Sequence, residues 1–137
     1  MFLSEIETLR RLRRHRAERA ERTLRDAKRL QGTLQDQVHQ AHAALDQARQ
    51  QAAQKTAELV SRHQGQVVSL QDLKTWGNQE RRLLAGTARE EGELRELYQR
   101  QQRQVTHVET AQRQVTECLR EVEKLQELAH LLAQEAL

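Results

Sequence analysis

The chain carries two long stretches in which apolar or small residues return every three or four positions, separated by about fifteen residues in which they do not. In the first, from about Ser4 to His63, the recurring positions are Ile6, Leu9, Arg13, Arg16, Ala20, Thr23, Ala27, Leu30, Leu34, Gln37, Ala41, Ala44 and Ala48. This is a heptad seam, thin in leucine and rich in alanine, and it predicts a long helix that buries a narrow stripe. Ser4 followed by Glu7 fits a capping box and predicts the helix start. In the second stretch, from about Gln79 to Glu135, the seam runs Leu94, Tyr98, Gln101, Val105, Val108, Ala111 or Gln112, Val115, Cys118 or Leu119, Val122, Leu125, Ala129 and Leu132. It is richer in leucine and valine than the first.

Between them stands HQGQVVSLQDLKTWGN, His63 to Asn78. Gly65 and Gly77 bracket the segment, and Ser69 followed by Asp72 fits a second capping box. These signals predict a chain reversal at about 64–78 that holds a short helix with Leu70, Leu73 and Trp76. The expected architecture is all-α: a single elongated antiparallel two-helix coiled coil over residues 1–137, with helices at about 4–63 and 79–135 and a short helical cap at the reversal. Each arm, at about 1.5 Å per residue, would extend about 90 Å. Folded back, residue i would face a residue near 140 − i in about the pairing of an antiparallel coiled coil. That places Leu34 by Val105, Leu45 by Leu94, Ile6 and Leu9 by Leu132, Arg13 by Glu127 and Arg19 by Glu121.

Charge supports the folding back. Residues 1–30 carry ten Arg and Lys against five Asp and Glu, while 117–137 carry two against five. A hairpin sets the basic start beside the acidic end. A parallel dimer of one continuous helix is the competing topology, but it sets Arg13 and Arg16 against their own copies and strands VVSLQDLKTWG in mid-helix. Exposed ion pairs of this kind are each worth under about 1 kcal/mol, so they select register more than they add stability.

Composition agrees. The 137 residues include no proline, five glycines and one each of Phe, Trp and Tyr, with 31% charged. Such a chain lacks the rings that fill a thick core. One cysteine, Cys118, excludes an intrachain disulfide and fits a reducing compartment and a small seam residue. No apolar run approaches the roughly 20 residues of a membrane span, and the opening MFLSEIETLRR lacks the apolar core of a signal peptide.

The candidate chemistries are few. The arginines of Leu9–Gln31 do not fit a basic DNA-reading helix, because Glu18, Glu21 and Asp26 interrupt them and the window has no Asn. His39 and His42 share a helix face, but no third or fourth ligand completes a metal site. No nucleophile stands with a base, no glycine-rich phosphate loop is present, and two helices enclose no cavity, so neither an enzyme nor a cofactor site is expected. The unabsorbed feature is the apolar group Val67, Val68, Leu70, Leu73 and Trp76, which serves either as a local cap or as a tip contact for a partner.

The opening IETLRRLRRHRAERAERTLRDAKRLQ resembles the YscO family of type III secretion systems, related to the flagellar export protein FliJ. Leu9, Leu12, Arg13, Arg16, Ala17, Arg19 and Ala20 carry the pattern, and the resemblance extends through the mid-chain break to the ending VEKLQELAHLLAQEAL. The resemblance implies a non-catalytic stalk, an antiparallel coiled coil like the terminal helices of the rotary ATPase γ subunit. Such a stalk sits in the hexameric secretion ATPase, links it to the cytoplasmic domain of the export gate, and takes part in handling secretion chaperones. It implies a cytoplasmic monomer at the base of the secretion apparatus. By the same analogy Arg10, Arg11, Arg14 and Arg16, with Glu123 and Glu127 opposite, would face the ATPase. Val67, Val68, Leu70, Leu73 and Trp76 would face the gate or a chaperone. A generic coiled-coil scaffold, or a regulatory protein dimerising in parallel, is the alternative from another class.

Overall fold

In the computed structural model, residues 2–136 are described. They form two α-helices, α1 (Phe2–His63) and α2 (Leu70–Glu135), and no strand is present among the described residues. The fold is an all-α helical hairpin of coiled-coil type. Absence of proline and abundance of Ala, Leu, Arg, Gln and Glu let both helices run unbroken. Threonines, poor helix formers, are accommodated by donating to the carbonyl four residues back, as Thr8 does to Ser4, Thr23 to Arg19 and Thr110 to Thr106. Ser4 therefore lies inside α1, which starts at Phe2 rather than at the expected cap.

The reversal is shorter than the glycine spacing suggests. Gly65 adopts φ of 75°, a left-handed conformation that favours glycine, and the Gln66 N–H turns back onto the His63 carbonyl at 3.3 Å. Arg62 and His63 occupy the last turn of α1, where cations complement the exposed carbonyls. The capping box at Ser69 forms as expected: the Asp72 N–H donates to Ser69 Oγ at 3.1 Å, and the Ser69 N–H donates to Asp72 Oδ2 at 3.4 Å. The helical turns it opens are not a separate cap, however. They continue through Gly77 into α2, because one glycine costs a helix only about 1 kcal/mol and later turns outweigh it. Ser69→Ala should destabilise the protein by about 1 kcal/mol, read from the denaturant midpoint, since it removes this N-cap.

The contacts fall into two compact units. One comprises the chain up to Thr33 and from Gln102 onward, the other Leu34–Gln101. In the first, Leu24, Ala111 and Val115 form a buried cluster flanked by Ala20 and Val108. In the second, Val38, Leu45 and Leu94 do so, flanked by Ala41 and Leu97.

The phase of α1 differs from expectation. Its covered residues run Ile6, Arg10, Arg13, Ala17, Ala20, Leu24, Ala27, Gln31, Leu34, Val38, Ala41, Leu45, Ala48 and Ala52. Every second seam position lies one residue later than the pattern suggested. Arg16, Thr23, Leu30 and Gln37 are exposed; Ala17, Leu24, Gln31 and Val38 are covered in their place, and Leu45 is buried beside a half-buried Ala44. The reason is burial: covering Ala17, Leu24, Val38 and Leu45 outweighs leaving Leu9 and Leu30 in water. In α2 most of the expected seam holds, with Leu97 in place of Tyr98, Gln104 buried beside a half-buried Val105, and Ala111 and Cys118 chosen over Gln112 and Leu119.

Candidate partner-binding surfaces

The seam brings several polar groups under partial cover in the unit that holds both chain ends. Gln104 is buried and donates from Nε2 to the Ala27 carbonyl at 2.8 Å, which satisfies its amide across the helix pair. Arg13 donates from Nη1 to the Glu121 carbonyl at 2.9 Å, and Arg16 Nη1 lies 3.5 Å from the Glu121 carboxylate. Glu121 thus serves Arg13 and Arg16, whereas the expected pairing gave it to Arg19 and gave Glu127 to Arg13. The displacement is three residues for the partner of Glu121 and six for the partner of Arg13, one to nearly two turns. In the other unit the expected pairing holds: Leu45 clusters with Leu94, Arg49 bridges to Glu91 at 3.2 Å, and His42 meets Tyr98 edge-on with centroids 5.7 Å apart. The His42 ring nitrogen also hydrogen-bonds the Tyr98 hydroxyl.

The arginines expected to face a partner divide. Arg10 occupies a seam position at 26% side-chain exposure, ion-paired to Glu7 at 2.9 Å, with its Nε buried and unbonded. Arg16 is engaged by Glu121. Arg11 and Arg14 are exposed, as are Glu123 and Glu127. The two glutamates line a shallow groove on α2 with Arg120, Lys124 and Gln126. Of the expected arginines, then, Arg10 is turned towards the seam, Arg16 pairs with Glu121 while 70% exposed, and Arg11 and Arg14 make no ion pair among the described residues.

At the reversal, Val67 is fully exposed, and Leu70 and Leu73 are 71% and 52% exposed. Val68 and Trp76 are half-buried. Trp76 stacks on His63 with centroids 5.3 Å apart and planes 22° from parallel, and its Nε1–H donates to Glu80 at 2.9 Å. The ring thus ties the end of α1 to the start of α2, which is the local role weighed against partner contact. Val60 and Leu84 are also exposed. Nearby, Lys55, Glu58, Leu59, Arg62, Gln79, Arg82 and Leu83 line an open groove of about 360 Å³.

A second apolar group escaped the sequence pattern. One heptad outward from Arg16 and Glu121 stand Leu9 and Leu128, and both are exposed together with Leu12 and Leu131. The 3/4 pattern puts Leu9 in the seam, and the difference in phase is what leaves it uncovered with Leu12, Leu128 and Leu131.

Among the described residues no three His, Cys, Asp or Glu side chains gather as a metal site, and no helix is long and apolar enough to cross a membrane. Cys118 is half-buried in the seam with its thiol free.

A family model described as type III secretion protein YscO matches residues 6–137. No curated protein and no solved structure matches the chain.

Proposed function

Starting from a chain that belongs to the YscO family of type III secretion proteins, we propose that it is a non-catalytic coupling stalk of a type III secretion system. It binds the hexameric export ATPase and links it to the cytoplasmic domain of the export gate, to secretion chaperones, or to both. It works in the cytoplasm at the base of the apparatus, as a monomer. The family match over nearly the whole chain carries this reading. The build of the hairpin supports it: a thin seam, grooves open to solvent rather than enclosed cavities, and surfaces rich in uncompensated charge and exposed apolar side chains. A stalk in a ring needs stiffness and a polar exterior, not a thick core.

The reading assigns the exposed arginines of the terminal half that make no ion pair among the described residues to the ATPase, and the reversal to the gate or chaperone. The test is the hydrolysis rate of the cognate ATPase, at concentrations where its hexamer is partly assembled, with and without this protein. Stimulation with co-elution is the expected result. No effect and no co-elution, or a stable dimer at micromolar concentration, would favour a scaffold or parallel dimer instead.

The reversal has its own test. Since Trp76 also holds the local structure, the informative variant keeps it: Val67→Thr, Leu70→Gln and Leu73→Gln together. Apolar interface anchors each contribute about 1–2 kcal/mol, so this variant should lose gate or chaperone binding by more than about tenfold. Helix content and ATPase stimulation should stay unchanged. Undiminished gate and chaperone binding would remove the reversal from the interface.

A further inference from the structure

The hairpin leaves a block of positive charge without an internal counterpart. Residues 11–29 hold nine Arg and Lys against three Asp and Glu, whereas 109–127, across the seam from them, hold three against five. The chain as a whole is +3, so everything outside this one segment is net acidic. α2 supplies too few carboxylates to balance the segment, and those it has are used sparingly. Arg13 is drawn to the Glu121 carbonyl and Arg16 to its carboxylate.

Arg11, Arg22, Arg25 and Arg29 are different. All four are exposed, and among the described residues none of them makes an ion pair. Their spacing of eleven, then three, then four residues returns to the same side of a helix with about 3.6 residues per turn. That side is opposite the covered residues Arg13, Ala17, Ala20, Leu24 and Ala27. His15 shares this face, and Glu18 is the carboxylate that falls within it. Arg22 with Arg25, and Arg25 with Arg29, are like-charge neighbours at three and four residues, an arrangement that works against the helix carrying them.

We propose that Arg11, Arg22, Arg25 and Arg29 form a docking stripe for a carboxylate-lined protein surface. This rests on the coupling-stalk reading above, in which that surface belongs to the ATPase ring. The argument is charge complementarity: the stripe faces away from the seam, its segment carries nine cations against three carboxylates, none of its four arginines is ion-paired among the described residues, and it presents guanidinium forks suited to carboxylates. Arg10 and Arg16, engaged within the hairpin, are not part of it. A nucleic-acid backbone is the poorer occupant, because Glu18 in the middle of the stripe and Glu21 and Asp26 at its borders would meet phosphates.

The test uses the full chain with Arg11→Gln, Arg22→Gln, Arg25→Gln and Arg29→Gln combined. Gln is a good helix former, and the like-charge contacts and the favourable carboxylate neighbours that are lost together nearly offset, so the thermal midpoint should stay within a few degrees. Co-elution with the ATPase and stimulation of its hydrolysis should fall at least tenfold, and the salt dependence of binding should flatten. The pair R25Q/R29Q should show an intermediate loss, so that a folding defect in the quadruple variant does not decide the matter. Arg10→Gln with Arg16→Gln should leave stimulation within about twofold of the parent. A parent that stimulates and a quadruple variant that stimulates equally would overturn the stripe and leave the coupling role standing. A parent that neither co-elutes nor stimulates would overturn both. Salt-sensitive binding of the parent to a short random-sequence DNA duplex, lost in the quadruple variant, would reassign the stripe to phosphates and overturn it as a protein contact.

Discussion

Leu45→Ala should lower stability by about 2–4 kcal/mol, the range for truncating a buried leucine that leaves a partly unrelaxed gap. The thermal midpoint, followed by helical circular dichroism, should fall by roughly 10 °C. Leu45 is buried in a cluster with Val38 and Leu94, and no aromatic core stands behind that cluster to absorb the loss. Leu30→Ala is the informative control. The 3/4 pattern puts Leu30 in the seam, yet it is 49% exposed, so its truncation should cost no more than about 0.5 kcal/mol. Equal costs at the two positions would mean that the pairing of α1 with α2 is not the one described.

Ala111→Glu should be at least as damaging. Ala111 is 2% exposed and packs with Leu24 and Val115. A carboxylate there has no cation in the cluster to meet, and an uncompensated buried charge costs about 3–5 kcal/mol. The neighbouring Gln112→Glu, at an exposed position, should stay within about 0.5 kcal/mol. The pH response separates charge from size. Burial raises the pKa of an introduced carboxyl in the folded state, so the penalty is full above that raised value. It shrinks as pH falls towards the unfolded value of about 4.3, where both states carry the neutral acid. Ala111→Glu should therefore regain part of its lost stability, relative to the parent, as the medium is acidified. A deficit that stays constant with pH would assign the effect to overpacking.

The candidate sites were legible in proportion to how local their signals were. The residues of the capping box, Ser69 and Asp72, lie within a few positions of one another, and the structure forms it as expected. Which arginines are free was not legible. Arg10 and Arg11 are neighbours of one type, and the one that turns into the seam is decided by α2, not by its own surroundings.

By itself, the sequence determined two long helices, the place of reversal, the capping box at Ser69 and most of the covered stripe of α2. Each of these rests on local propensity or on a strong run of Leu and Val, and a single segment suffices to express either. The phase of α1 had to await the partner helix. Ile6, Arg13, Ala20, Ala27, Leu34, Ala41 and Ala48 belong to both possible seams, and the alternates differ by one residue, about 100° around the helix. With leucines on either side of that choice, such as Leu9 and Leu30 against Leu24 and Leu45, periodicity alone is nearly balanced. Only packing against Leu94, Ala111 and Val115 settles which set is buried. The same packing sends Arg13 and Arg16 to Glu121 and leaves Arg11, Arg22, Arg25 and Arg29 facing outward.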